Sequence, residues 1–197
     1  MKIKFRHVNV RMEHFHYKIP GWFTFPKLYS TMVERFPSNS HFVEVGTWQG
    51  SSAAYMAVEI INSGKNIKFD CIDIWGRYSI DGLNTKFPER LPDNAVEQLF
   101  LKNIEPVKHI INPIKLPSTE GAELYRDSTL DFVFIDANHV YEAVKDDLNA
   151  WYKKVKVGGF IAGHDYYNDP GVKQAVDEFF INKNLYLGEG CWLYFKQ

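Results

Sequence analysis

Cysteine is scarce: Cys71 and Cys191 are the two in the chain. They lie far apart and outside any C-x-x-C, so they build neither a disulfide framework nor a structural zinc site. Free thiols in a reducing compartment are expected. No run of about 18 apolar residues occurs, which excludes a membrane-spanning helix. No apolar stretch follows the charged start Met1-Lys2-Ile3-Lys4, so no signal peptide is expected either. An excess of one charge is also missing. With 23 basic against 24 acidic side chains, nothing favours a strong electrostatic hold on nucleic acid or an anionic membrane. A cytoplasmic protein with neither as partner is the expectation, and a homo-oligomer stays open. Internal repeats, low-complexity tracts and interdomain linkers are absent. Residues 1–197 read as one domain with a core of its own.

What the sequence has in excess is aromatic side chains, 16% of the residues. Trp22, Phe23 and Phe25 gather in segment 1–40, which reads as an aromatic, partly helical cap over the mouth of the domain. They either line an acceptor pocket or pack under the rim of a sheet. Beyond the cap, β-rich runs alternate with helical periodicity, the rhythm of a parallel sheet with helices on both faces. The runs predict strands over 41–45, 67–73, 109–111, 130–136 and 160–162. Helices are predicted over 51–62, 94–103 with Asp93 as cap, 120–125, 141–155 and 172–180. Strands over 185–187 and 192–195, joined by Gly188-Glu189-Gly190, predict a closing antiparallel hairpin. The segment 76–93 is long and polar for a simple connection and reads as a lid or binding loop. The fold class is α/β, Rossmann-like and mostly parallel.

In such a sheet, ligands collect outside the carboxyl ends of the strands. The polar residues predicted there are Glu44 with the turn 46–52, Asp73, Asp136 with His139, and His164-Asp165. Gly46 and Gly50 allow a tight turn and close approach of a ligand, and the following helix aims its first amides at anionic groups. The spacing is G-x-x-x-G. The G-x-G-x-x-G of dinucleotide binders is lacking, which disfavours an NAD(P)-dependent oxidoreductase. Asp73 stands where a carboxylate can accept both hydroxyls of a ribose; a solvated strand-end aspartate is the plain alternative. His14-Phe15-His16, even with His7, lacks a matching carboxylate or thiol and reads as a surface pair. Asp146-Asp147 reads as a solvated helix face.

Glu44-Val45-Gly46-Thr47-Trp48-Gln49-Gly50-Ser51-Ser52 resembles motif I of class I S-adenosylmethionine-dependent methyltransferases, in its catechol O-methyltransferase-like form. The blocks 131–142 and 158–166 are similar to the group that contains cephalosporin-biosynthesis and macrolide-sugar O-methyltransferases. The resemblance runs from about Trp22 to Phe180. It implies that Glu44, Gly46, Thr47, Trp48, Gly50, Ser51 and Ser52 hold the methionine part of S-adenosylmethionine. It implies that Asp73 takes the ribose, that Ile74 and Trp75 flank the adenine, and that Ser118 lies at the adenine edge. Asp136 adjoins the cofactor as well.

Asp136 and Asp165 match two aspartates that hold a magnesium ion in those relatives. His164 and Tyr166 depart from the pattern, since other relatives carry Asp or Asn there. Imidazole suits softer ions such as manganese or zinc better than magnesium. His139 stands where catechol-type enzymes have a catalytic lysine, and a neutral histidine suits removal of a hydroxyl proton; His164 is the second candidate for that role. The resemblance implies methyl transfer to a small-molecule hydroxyl, of a sugar or natural product. A catalytically silent cofactor-binding module of the same fold is the rival reading.

Overall fold

In the computed structural model of the protein, residues 11–76 and 94–197 are described. The expected lid loop lies, past Gly76, outside the described residues, as do the first residues with His7, and Asp93. In chain order the described residues form α1 (Pro26–Arg35), β1 (His41–Val45), α2 (Ser51–Ser63), β2 (Lys68–Asp73), α3 (Ala95–Asn103), β3 (Ile111–Lys115), α4 (Ser118–Ala122), β4 (Leu130–Ile135), α5 (Tyr141–Tyr152), β5 (Val155–Gly163), α6 (Pro170–Phe179), β6 (Leu185–Gly188) and β7 (Cys191–Phe195). Short 3-10 turns add His16–Lys18 and Glu105–Val107.

The most apolar run, β4, is buried along its whole length, as a strand covered on both faces must be. It lies at the centre of one seven-stranded sheet of order β3-β2-β1-β4-β5-β7-β6. The order reverses between β1 and β4, which pair in parallel from Phe42–Phe132 to Val45–Ile135. β7 alone runs antiparallel, wedged between β5 and β6, as the short turn 188–190 requires.

Aromatic and aliphatic side chains seal both faces. On one, Phe25, Tyr29, Met56, Phe100 and Phe134 pack beneath α1 and α2. On the other, Leu148, Trp151, Val176 and Phe180 fill the space beneath α5 and α6. α2 ends where expected, at Gly64 in the left-handed conformation.

Four expectations are corrected. The third strand begins at Ile111 and runs on to Lys115, instead of covering 109–111. Pro113 hides it in the sequence, and its missing N–H costs nothing on an edge strand. α4 starts at Ser118, directly after Pro117, and not at Glu120. α5 stops at Tyr152 and Val155 already belongs to β5. The Lys154 ammonium there is buried, donating to the Tyr125 carbonyl at 3.0 Å and pairing with Asp127. A register break opposite Leu130–Phe132, with Gly158 at φ 84°, absorbs Gly158 and Gly159 within the strand. Finally, Asp147 is no solvated residue: it is buried on α5, and burial pushes its carboxyl up to about 6 against a hydrogen bond to Ser118.

Candidate active site

The turn after β1 is built to leave its backbone accessible. Gly46 and Gly50 have φ of 84° and 88°, values that cost other residues free energy. A Cβ on Gly46 would run into the Asp136 carbonyl, so this turn and the end of β4 are packed backbone to backbone. Asp73, at the end of β2, ties the turn down. Its Oδ2 accepts from the amides of Thr47 and Trp48, both at 2.8 Å, and its Oδ1 from Trp75 at 2.8 Å. Trp75 is buried against Phe100, and its indole N–H donates to the Trp48 carbonyl at 3.0 Å. Ile74 beside it is exposed. Trp48 and Trp75 both hold left-handed backbone, at φ 44° and 39°, a strained state that clusters at functional sites.

Beneath the turn, Glu44 is 1% exposed. Burial raises its carboxyl from the ordinary 4.5 to about 8, against a hydrogen bond from Ser52 that favours the anion. Ser52 donates to its Oε1, while Oε2 and the Thr47 hydroxyl are buried without a partner. Ser51 turns its hydroxyl to the His16 carbonyl at 3.1 Å. α2 has no side-chain cap on its first amides. Ser118, on α4, accepts from the Trp151 indole at 2.9 Å and so faces α5.

Across the switch point, the ends of β4 and β5 bring Asp136, His139, His164 and Asp165 together. His139 Nε2 lies 3.6 Å from Asp136 Oδ1 and 3.3 Å from Asp165 Oδ2. His164 Nδ1 lies 3.4 Å from the same Asp165 oxygen and 3.9 Å from Asp136 Oδ1. The carboxylates raise the titration of both imidazoles, Asp136 foremost at His139 and Asp165 at His164, and burial opposes the rise in each. Asp165 is pushed down to about 2: burial opposes this, but His164 and Asn168 hydrogen-bond the anion and His139 adds its charge. One ligand atom each from Asp136, His139 and Asp165 falls within 4.8 Å of the others. The cluster can hold a proton or a cation. Tyr166, expected near a third ligand position, instead sends its hydroxyl to Asp177 at 2.6 Å.

The cap closes one side of this site. Thr24 Oγ1 meets His164 Nε2 at 3.0 Å and the Glu189 carbonyl at 3.4 Å. Phe25 packs on Phe134 and on the His164 ring, with centroids 4.5 and 4.9 Å away. Trp22 lies against Trp48, 56% exposed, with ring centroids 5.0 Å apart. The three cap aromatics thus divide: Phe25 is core, Phe23 half-buried, and Trp22 alone remains at the rim. His14 and His16 are no loose surface pair. His14 bonds to Glu59 at 2.8 Å and stacks on Tyr55, fastening the cap to α2. Thr24 and Tyr29 escaped the sequence reading, since neither lies in a motif or at a strand end.

Fold and site together define a class I methyltransferase domain. Residues 43–166 match the methyltransferase-domain family, and the chain belongs to it. Protein R132 of Acanthamoeba polyphaga mimivirus is 29% identical over 150 residues, 70% of this chain; the chain spans 58% of that relative's length. Among solved structures, the O-methyltransferase NovP superposes with a TM-score of 0.65 at 20% identity, over 87% of this chain and 79% of its own. The calicheamicin methyltransferase CalS11 gives 0.60 at 14% identity, over 86% and 76%. Cofactor-bound Rv0187 from MTB gives 0.61 at 13% identity, over 89% and 82%.

Proposed function

We propose that the chain moves the methyl group of S-adenosylmethionine to a hydroxyl of a small molecule, a sugar or natural product. The observation that carries this reading is the packing of Gly46 on the Asp136 carbonyl, which sets the cofactor turn against the cluster of carboxylates and imidazoles. The chain's residues suit the cofactor. The unpartnered Glu44 Oε2 answers an ammonium group, the open amides of α2 a carboxylate, and Asp73 a ribose. Exposed Ile74 offers an apolar edge to the adenine, and Trp75 supports it from below. The cluster at β4 and β5 would hold the hydroxyl and its proton, with catalysis arising chiefly from alignment of oxygen, methyl carbon and sulfur. NovP and CalS11, named as an O-methyltransferase and a calicheamicin methyltransferase, support an oxygen acceptor on a small molecule. A divalent ion between Asp136 and Asp165 belongs to the same reading.

Thermal unfolding with S-adenosylhomocysteine tests it. At 100 times its dissociation constant the ligand should add about 2.7 kcal/mol of stability. Asp73→Ala should lose most of that gain and some intrinsic stability too, because the Thr47 and Trp48 amides lose their acceptor. Stabilisation by NAD and none by S-adenosylhomocysteine would end the reading. Release of S-adenosylhomocysteine across a panel of hydroxyl acceptors then identifies the substrate.

A further inference from the structure

We propose that His139 is a metal ligand, the third beside Asp136 and Asp165, and that this site takes a divalent transition ion in preference to magnesium. The use of the ion rests on the methyltransferase reading; the site itself rests on the donor positions. Donors bound to one ion at about 2.1 Å stand about 3 Å apart at right angles and at most about 4.2 Å apart across it. His139 Nε2 stands 3.6 and 3.3 Å from oxygens of the two carboxylates, and the whole set spans no more than 4.8 Å. Closing onto an ion needs shifts of a few tenths of an ångström, within side-chain freedom.

His139 Nε2 supplies a second and independent sign. The ring as a whole is 42% exposed, yet this nitrogen is shut off from water and makes no hydrogen bond. A buried nitrogen set between two carboxylate oxygens, at 3.3 and 3.6 Å but in hydrogen-bond geometry to neither, has the placement of a donor around a shared ion. A neutral imidazole offers one lone pair, and Nε2 points it between two carboxylate oxygens. His164 stands outside the set. Among the described residues, the donor atoms that all gather within 4.8 Å of one another are those of Asp136, His139 and Asp165; His164, held by Thr24 at 3.0 Å through Nε2, backs Asp165 with its Nδ1 3.4 Å from Oδ2.

One nitrogen and two carboxylates decide the class of ion. Magnesium demands near-octahedral oxygen and keeps most of its water. Imidazole favours the later first-row ions, whose affinities rise from manganese through cobalt and nickel to copper, with zinc below copper. Replacing one oxygen donor by His139 therefore shifts the site away from magnesium.

The test uses the full chain, freed of metal with a chelator and titrated with cobalt(II), followed by visible absorption, with magnesium as competitor. One cobalt ion should bind per chain, and magnesium should displace it only in large excess. His139→Ala should weaken cobalt binding on the order of tenfold or more, as loss of a ligand must exceed the usual effect of an outer-shell change. The same variant should change the absorption bands and lose the preference over magnesium. Matching melting profiles of His139→Ala and His139→Asn would show that the fold is intact. Unchanged cobalt affinity and spectrum in both variants would overturn the proposal, as would displacement by equimolar magnesium or the absence of cobalt binding. A cobalt site that depends on His139, in a chain indifferent to S-adenosylhomocysteine, would instead sink the methyltransferase reading and leave this one standing.

Discussion

At the scale of single residues, Glu44 is a costly group to bury. Its folded value of about 8 stands above the ordinary 4.5 because burial disfavours the anion. Below the ordinary value both folded and unfolded chains hold the proton, and there is no penalty. Between the two values the unfolded chain releases it first, so stability should fall as pH rises across that window, by a few kcal/mol in all. Glu44→Gln should flatten this slope, as seen in urea unfolding at acid and mildly alkaline pH. It should also weaken S-adenosylhomocysteine binding, since the amide cannot neutralise an ammonium. A wild-type stability that rises through the window would contradict this account. Residues such as Glu44, Asp73, Asp136 and Asp165 were legible as sequence because strand ends are predictable. Their mutual distances were not, and Thr24, which bonds His164 across 140 positions, carried no local signal.

Single elements depend on contacts that come from far along the chain. α1 carries Arg35 as its one basic residue in the last turn and has no glycine stop. Its final carbonyls are met by Lys65 instead: the ammonium donates to Val33, Glu34 and Phe36 at 2.6, 2.7 and 2.8 Å. Charged donors to helix C-terminal carbonyls are favourable both as hydrogen bonds and through the helix dipole. Lys65→Met should therefore cost about 1–3 kcal/mol, read as a lower urea midpoint at unchanged slope. A loss below about 0.3 kcal/mol would show that water replaces the ammonium freely. Elements with clean periodicity and glycine stops, such as α2, were legible almost to the residue. β3 and the start of β5 were not. Pro113 and the Gly158-Gly159 pair are breakers by local rule, and only an edge position and a register break make them tolerable.

For the whole molecule, the alternation of strands and helices made the architecture legible, and the antiparallel closing hairpin followed from turn length. The cap was harder to place. Phe25 and Tyr29 are as buried as any strand residue, yet the segment before residue 40 shows too little periodicity to announce that it is core. Removing residues 11–40 would strip the cover from Phe42, Phe132, Phe134 and Phe160, all of the same hydrophobic cluster. The shortened chain should lack a cooperative melt and aggregate. A milder test is Phe25→Ala, expected to cost about 3–5 kcal/mol by chemical unfolding. A shortened chain that melts sharply would show that the cap is an accessory to the fold.

The hairpin has one more consequence, for the order of events during synthesis. β7 lies inside the sheet against β5, and the turn behind it places the Glu189 carbonyl on Thr24 and the Gly190 carbonyl on the Tyr166 amide at 3.0 Å. The walls of the site therefore come from early and late stretches of the polypeptide. A chain emerging from the ribosome presents its N-terminal portion first, so α1, β1 and the glycine turn are exposed well before their last neighbours exist. The pocket closes only when residues 189–195 have emerged and slipped in beside β5. A nascent chain stalled before that point would leave His164 and the Tyr166 amide without the Glu189–Gly190 turn that lies against them.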